Sequence, residues 1–301
     1  MLDLRQLQAL LAVAETGSIT GAARRLGWSQ PAVNHHLQNL DRLMGAPLTG
    51  RTSQGTTLTD TGRLVARQGA EILNLSEQLV EEVRAQVRGQ RPRVRLGIVA
   101  SVVSAFLPAI SARLAERGLG LDTRLGENPD LIEAVQQRSL DAAVIYTLQD
   151  YPPVLGESVR SRTLLRDPLL LALPEDHPAA HEAQIQTHTL RQLHRERWVF
   201  GVTDNDPIDR LIREHLADTD AIESVIHTDD FSVLLNVVAA GLSIGVVSRL
   251  GAAHPPQGVV LRPFADPRFH RMITLISHER SAASAAEVRH AIVGAAAHLE
   301  P

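Results

Sequence analysis

The chain has 301 residues, of which 44% are hydrophobic, and its formal net charge at pH 7 is −4. This length predicts two or three compact units, each able to bury a core. Because the chain contains no cysteine, disulfides, cysteine nucleophiles and thiolate metal sites are excluded. No apolar run is long enough to cross a bilayer and no signal peptide is recognisable. We therefore expect a cytoplasmic protein without a membrane partner.

The first stretch that indicates a function is 17–44, GSITGAARRLGWSQPAVNHHLQNLDRLM. Ser18 and Ser29 stand where the N-caps of two short helices belong, and Gly27 permits a sharp turn between them. Pro31 suits the first turn of the second helix. The pattern is that of a three-helix helix-turn-helix unit, because a further helix is predicted before Gly17. The inner stripe of that first helix is predicted to be Leu4, Leu7, Leu11 and Ala14.

The last of these three helices is predicted to have two unlike faces. Heptad-like spacing predicts that one face is buried, and it consists of Val33, Leu37, Leu40 and Met44. Another face carries Gln30, Asn34 and Gln38 at intervals of four, with His35 beside them. These side chains are polar but almost uncharged, and they can exchange hydrogen bonds with base edges in the major groove. The helix is therefore predicted to contact DNA.

Residues 47–59, PLTGRTSQGTTLT, predict a two-stranded hairpin, or wing. Arg51 on this wing could contact a phosphate or enter a minor groove, and the alternative is a solvated turn residue. A long helix is then predicted from Thr59 and Asp60 to about Arg88, with apolar residues seven apart. This stripe predicts pairing with a second copy, and the alternative is packing on the later part of the same chain.

From residue 92 onward, strands and helices alternate, which predicts an α/β fold with parallel strands. Asn128 is predicted to be the N-cap of one of these helices, with Pro129 after it. Two such series follow one another, so we expect two lobes. Lobe I is predicted over about 92–165 plus 267–301, and lobe II over about 166–266. Two lobes joined by crossover connections enclose a cleft at the hinge, where a small ligand usually binds.

The order of these parts resembles that of LysR-type transcriptional regulators over the full length of the chain. The resemblance is carried by LRQLQALLAVAETGSITGAARRLGWSQPAV and PLTGRTSQGTTLTDTG, and further by FLPAI, LDAAV, PLLLALPEDHP and VVAAGLSIGVVS. It implies a bacterial regulator with an all-α winged helix-turn-helix domain (1–60) and a linker and dimerisation helix (61–91). It also implies a two-lobed α/β effector domain similar to periplasmic binding proteins (92–301).

The resemblance also implies partners. Members of the family usually bind double-stranded promoter DNA as dimers of dimers and respond to a small co-inducer, and RNA polymerase is a further candidate partner. No other cofactor is expected. The family's DNA-contacting positions match Ser29, Gln30, Pro31, Asn34, His35 and Arg51. Asn34 and His35 replace the more usual Ser and Arg or Gln, and Thr49 replaces a large aromatic. We expect DNA binding to be retained, but these changes make the family's operator sequence hard to transfer.

The family's effector cleft corresponds here to Ser101, Ser104, Asn128, Val202, Thr203, His227 and Thr228. Hydroxyl groups at a helix N-terminus make an anion site, and many family effectors are carboxylates, so we expect an anionic ligand. The alternative for each Ser or Thr is an ordinary helix cap. A regulator that ignores small molecules and works through oligomer contacts alone is a second hypothesis.

Other classes of protein are weaker hypotheses. His177 and His181 are four apart, but no Glu base lies between them and the number of ligands is too small for a metal site. No Ser lies in a nucleophile elbow. We therefore expect neither catalytic nor metal-binding residues. A pure ligand carrier would not need the first 88 residues.

Overall fold

The computed structural model describes residues 1–52, 55–203, 206–216 and 223–297. Two compact units are present. One comprises residues 1–92 together with 133–140, and the other comprises 93–132 together with 141–301.

The first unit begins with three helices, α1 (Leu4–Thr16), α2 (Ile19–Leu26) and α3 (Gln30–Met44). Ser18 and Ser29 are the N-caps of α2 and α3, and each side chain accepts the backbone N–H three residues further along. Each helix ends at a glycine with φ between 66° and 70°, a conformation that costs other residues more. The predicted helix-turn-helix is therefore present.

The core of these helices differs from the prediction at two points. Val33, Leu37 and Leu40 are buried, but Met44 is 38% exposed because it lies at the last turn of α3. In α1 the buried residues are shifted from the predicted stripe, since Leu4 at the first turn and Ala14 near the last turn are both exposed. The core instead takes its large apolar residues of α1 from Leu7, Leu10 and Val13.

The wing consists of the antiparallel strands β1 (Thr49–Thr52) and β2 (Gly55–Leu58). Its backbone is tied to the turn between α1 and α2, because the Thr56 N–H donates to the Gly17 carbonyl at 2.8 Å. A Cβ atom on Gly55 would lie 2.4 Å from the same carbonyl oxygen. Only glycine allows this close approach.

The long helix α4 (Asp60–Val87) follows, with Thr59 as its N-cap. Its first turns pack on the core of the first unit through Val65, Ala66 and Leu73. Further along, large apolar side chains of this helix are exposed. They are Ile72, Leu75, Leu79, Val80, Val83 and Val87.

Among the described residues, the second unit is built on a nine-stranded mixed sheet in the order β4-β3-β5-β11-β6-β9-β7-β8, with β10 also paired to β6. The strands are β3 (Arg93–Ile98), β4 (Gly120–Leu125), β5 (Ala142–Thr147), β6 (Val159–Pro174), β7 (Arg197–Phe200), β8 (Glu223–His227), β9 (Ile244–Ser248), β10 (Val259–Pro263) and β11 (His270–His278). The helices are α5 (Val103–Glu116), α6 (Asn128–Gln136), α7 (Thr187–Gln192), α8 (Pro207–His215), α9 (Phe231–Ala239) and α10 (Ala282–Ala296).

Two lobes share the long strand β6. Its first part, Val159 to Pro168, pairs with β11, and its last part pairs with β9 and β10. The terminal helix α10 returns to the first lobe, where Glu287 accepts a hydrogen bond from the Arg113 side chain of α5 at 2.9 Å. The predicted boundary near residue 165 thus falls inside a strand that runs through both lobes.

Candidate DNA interface and ligand cleft

The polar face of α3 is exposed. Gln30, Pro31, His35 and Gln38 are exposed on it, Asn34 is half-buried, and Arg51 is exposed on β1. The Ser29 hydroxyl also lies at this end, but it accepts the Ala32 N–H at 3.3 Å as the helix cap. The side chains predicted to contact base edges are therefore accessible.

Asn39 and Arg42 hold His35 of this face in position, and neither residue was predicted from the sequence to do so. The Asn39 amide lies 2.9 Å from Nε2 of His35, and Arg42 donates to the Asn39 side chain in turn. His36 packs against Trp28, with ring centroids 5.1 Å apart. The spacing of four between His35 and Asn39 on a predicted helix was the available signal. His35 is thus held in place from its own helix.

The second unit contains a cavity of about 60 Å³ between its two lobes. One lobe supplies Ser101, Glu127 and Tyr146, and the other supplies three aspartates near the start of α8 and α9. We call Asp206, Asp209 and Asp229 the aspartate cluster. The rest of the wall is mostly apolar and includes Phe200 and Phe231, and Thr228 and Arg271 also contribute to it.

Hydrogen bonds fix the aspartate cluster. Asp206 caps α8 through Oδ1, and its Oδ2 accepts the Tyr146 hydroxyl at 2.8 Å, so this bond joins the two lobes. Asp209 accepts the Gly201 N–H at 2.8 Å, and Asp229 accepts the Val202 N–H at 3.1 Å. These bonds hold three carboxylates in a small space.

The crowding of negative charge changes the ionisation of these groups. Burial and the charge of Asp206 raise the pKa of Asp209 to about 7. Burial and the charges of Asp229 and Asp206 raise the pKa of Glu127. Burial and the neighbouring Asp206 also raise the pKa of Tyr146, so its hydroxyl stays protonated and donates. Each shift shows that this space disfavours further negative charge.

Arg271 on β11 brings a cation to the cavity wall. It is 1% exposed, and its Nε donates to Oδ2 of Asp167 on β6 at 2.9 Å. Its guanidinium lies over the Tyr146 ring, 5.1 Å from the centroid. Its Nη2 is buried without a hydrogen-bond partner among the described residues. Such a donor is costly unless something accepts from it.

The structure brings only some of the predicted effector residues to the cavity. Ser101 and Thr228 line it. Ser104 is exposed on α5, and Val202 is 62% exposed. Thr203 and His227 make contacts with the backbone near Gly201 and Asp206. The Thr203 carbonyl accepts the Asp206 N–H, and Nδ1 of His227 lies 3.0 Å from the Gly201 carbonyl.

Asn128 was predicted to cap α6, and this was wrong. It is the first residue of α6, and its side-chain amide instead bonds the backbone of Tyr146, at 2.7 Å through Nδ2 and 3.3 Å through Oδ1. The residue therefore anchors the backbone of β5 at Tyr146, whose hydroxyl donates to Asp206.

The predicted anionic ligand conflicts with the charge of the cavity. Four carboxylates of the described chain lie in its wall, whereas Arg271 is already paired with Asp167. Sequence reasoning weighed hydroxyls and helix ends and missed these acids, because they come from three separate segments. The acidic stretches DNDPID and TDD were the available signals.

No group of three His, Asp or Glu side chains in the described part of the chain could hold a metal ion. His177 uses Nδ1 to accept the Ala179 N–H at 3.1 Å. No helix in the described ranges is both long enough and apolar enough to span a membrane.

Two family models match the chain. Residues 4–63 match the bacterial regulatory helix-turn-helix protein model of the lysR family, and residues 88–292 match the LysR substrate binding domain. The fold and site therefore define a DNA-binding transcriptional regulator with a ligand-binding domain. The chain belongs to the LysR family of bacterial regulators, as its sequence motifs predicted.

A relative agrees with this assignment, and solved structures agree with the fold. The small neutral protease regulatory protein of Streptomyces coelicolor is 30% identical over 286 residues, which is 93% of this chain and 88% of that protein. The match to the LysR family regulator CbnR covers 98% of this chain and 99% of CbnR, with 19% identity and a TM-score of 0.63. Full-length CbnR complexed with its target DNA matches with a TM-score of 0.61. A full-length OxyR variant from Pseudomonas aeruginosa matches over 97% of this chain and 95% of its own, with a TM-score of 0.64 at 18% identity.

Proposed function

We propose that α3 and the wing bind a partly palindromic promoter site, that α4 pairs two copies, and that a small ligand in the interlobe cavity changes the DNA complex. The observation that carries the proposal is the presence in one chain of an exposed polar α3 face and a cavity lined by two lobes. The ligand is bound and released unchanged, so no catalysis is involved. Such a protein would act in the bacterial cytoplasm, where RNA polymerase is a further candidate partner.

Base recognition is proposed for Gln30, Asn34 and Gln38, with His35 held by Asn39 beside them. An Asn side chain can pair bidentately with adenine. This face carries little positive charge, because Gln30, Asn34 and Gln38 are neutral amides. Affinity therefore depends on the wing residue Arg51 and on pairing two half-sites.

Pairing is proposed for the exposed apolar side chains of α4. Ile72, Leu75 and Leu79 form a groove of about 440 Å³ together with Leu4. Exposed apolar residues repeated along a long helix are the usual basis of a helical dimer interface. The proposed organisation is thus a DNA-binding domain (1–60), a linker helix (61–91) and an effector domain (92–301), assembled as a dimer or a dimer of dimers.

We propose that the ligand changes how the two lobes are arranged. The Tyr146–Asp206 hydrogen bond joins the lobes at the cavity. A ligand that binds one arrangement of the lobes more tightly shifts the population toward it. The same bond and the small cavity favour a second candidate, a regulator that works without a ligand. A metabolite panel that never changes the melting temperature or the footprint would support that second candidate.

The DNA-binding proposal is tested with a promoter site selected from genomic fragments. Gln30→Ala and Asn34→Ala should each weaken binding by about 1–3 kcal/mol and relax sequence preference, because each removes base contacts. Gln90→Ala, at an exposed amide outside the interface, is the matched control and should bind normally. Unchanged affinity and specificity in both α3 variants would refute the assignment of the face.

A further inference from the structure

The aspartate cluster converges on the backbone of Gly201. A Cβ atom built there would lie 3.0 Å from Oδ1 of Asp229 and 3.4 Å from Oδ2 of Asp209. Among the described residues, hydrogen bonds use one oxygen of Asp209 and one of Asp229. The second oxygen of each carboxylate can therefore accept from a ligand.

Charge in the cavity selects for a cationic group. The aspartate cluster lies in one wall and Glu127 in the other, and the charge of Arg271 is balanced by Asp167. A carboxylate ligand would meet like charges at short range, whereas an ammonium group would be attracted by several of them. Apolar side chains beside the acids, among them Ile208 and Phe231, fit an organic ammonium better than a hydrated metal ion.

Arg271 adds a second requirement, which is an oxygen acceptor on the ligand. Its buried Nη2 has no partner among the described residues, although the residue lines the same cavity. A guanidinium N–H in that position needs an oxygen acceptor. The ligand must therefore offer both an ammonium group and a carbonyl or carboxylate oxygen.

The size of the cavity favours a small ligand, and its mouth is open to solvent. A volume of about 60 Å³ is room for roughly four to six water-sized atoms, given that about 10–15 Å³ of such volume holds one water. This is the size of the smallest α-amino acids and their amides.

We infer that the cleft binds a small amino acid or amino-acid amide, with its ammonium group on Asp209 and Asp229 and its carbonyl or carboxylate oxygen on Nη2 of Arg271. This inference rests on the proposed function of the cleft as an effector site. It replaces the anionic ligand expected from the sequence with one whose positive group is essential.

The test measures melting temperature and calorimetric binding of the full-length protein at pH 8 with five kinds of probe. They are glycine and alanine, glycinamide, ethylamine, acetate with propionate, and Mg²⁺ with Mn²⁺. Glycine, alanine or glycinamide should raise the melting temperature saturably, ethylamine should bind more weakly, and the carboxylates should not bind. Saturable binding of a carboxylate or a divalent ion, or no response to any amine, would overturn the inference.

Two variants locate the binding. Asp229→Asn keeps an oxygen for the Val202 N–H but loses charge, so the Kd of the amino acid should rise about tenfold or more. Asp230→Asn, the neighbouring exposed cap of α9, keeps its capping oxygen and should bind within about twofold of the parent protein. Equal losses in both variants would show that the carboxylate of Asp229 is not the ligand contact.

A parallel DNA-binding assay separates the two proposals. An amino acid that binds the cleft without changing promoter affinity or footprint leaves the ligand inference intact and refutes the proposed regulation. A carboxylate that binds and changes the footprint would refute the ligand inference and support the proposed regulation.

Discussion

The α3 face and the aspartate cluster are both polar surfaces, but they are built in opposite ways. The α3 face comes from one helix, is exposed, and relies on neutral amides and an imidazole. The aspartate cluster comes from separate segments, is half enclosed, and gathers charges that repel one another. A surface that contacts base edges needs directional hydrogen-bond donors and acceptors, and water can satisfy these groups until DNA binds. A cleft for a small ligand can keep like charges close together, because a ligand of opposite charge reduces their repulsion when it binds.

The largest effect on stability is expected from removing the counter-charge of Arg271 in the wall of the cleft. Asp167→Ala should destabilise the protein by about 3–5 kcal/mol, because it leaves the buried Arg271 without its counter-charge. The side chains of Arg271 and Asp167 are 1% and 0% exposed. Denaturant unfolding of the parent and variant proteins measures the difference.

The control for this prediction is Glu279→Ala, which removes the exposed partner of Arg160. We expect a change of less than about 1 kcal/mol there. If both variants lost the same stability, the burial of the Asp167–Arg271 pair would not matter.

A smaller but still large effect is expected in the DNA-binding unit. Gly62→Ala should cost about 2–3 kcal/mol, since its Cβ would lie 1.9 Å from the Leu48 carbonyl oxygen and would force the wing away from α4. Promoter binding should weaken with it. Gly50→Ala, where nothing lies within 4 Å of the added atom, should leave the melting temperature nearly unchanged, and a loss there would argue against the packing explanation.

The third prediction concerns the negative charge in the cleft. Burial and Asp206 raise the pKa of Asp209 from 3.8 to about 7. Between those values the folded protein binds more protons than the unfolded chain, so stability falls as pH rises through this window. Asp209→Asn removes the penalty while keeping an oxygen for the Gly201 N–H.

We therefore expect the Asp209→Asn variant to gain about 1–2 kcal/mol at pH 8 and little near pH 4. Melting curves across this pH range provide the measurement. Asp122→Asn on the exposed edge strand β4 is the control. A gain that did not grow with pH would contradict the charge-repulsion interpretation.

The smallest effect is expected on the α3 face. Asn39→Ala removes the amide that orients His35, and we expect a loss of about 0.5–1 kcal/mol in promoter binding without a change in stability. Fluorescence anisotropy with the selected promoter site would detect it. In a His35→Ala background, Asn39→Ala should have no further effect, and additive losses would mean that Asn39 acts independently.

Local patterns explain why the first unit was predictable. The caps Ser18 and Ser29 and the buried Val33 and Leu37 each depend on residues within a few positions. Met44 was misassigned because a spacing pattern does not show where the neighbouring helices end. The exposed α3 face was predictable, since a helix with one buried face must expose the other.

The cleft was less predictable because its contacts are long-range. Tyr146 and Asp206 are 60 residues apart, and Arg271 and Asp167 are 104 apart. The sequence predicted that two lobes would enclose a cleft, but it could not predict which acids would face each other across it. The family resemblance pointed to two residues that line the cavity, Ser101 and Thr228, and missed the aspartate cluster.

The bond between Thr56 and the Gly17 carbonyl has a consequence for how such regulators diverge. At Thr56 and Gly55 the wing is held by main-chain atoms and a close approach to Gly17, while its Leu58 side chain packs on the core of the first unit. The Thr56–Gly17 bond does not use the side chain of Thr49, so the small residue at that position leaves the contact in place. Exposed side chains on the wing, such as Arg51, can then be exchanged over evolutionary time while this main-chain contact remains the same.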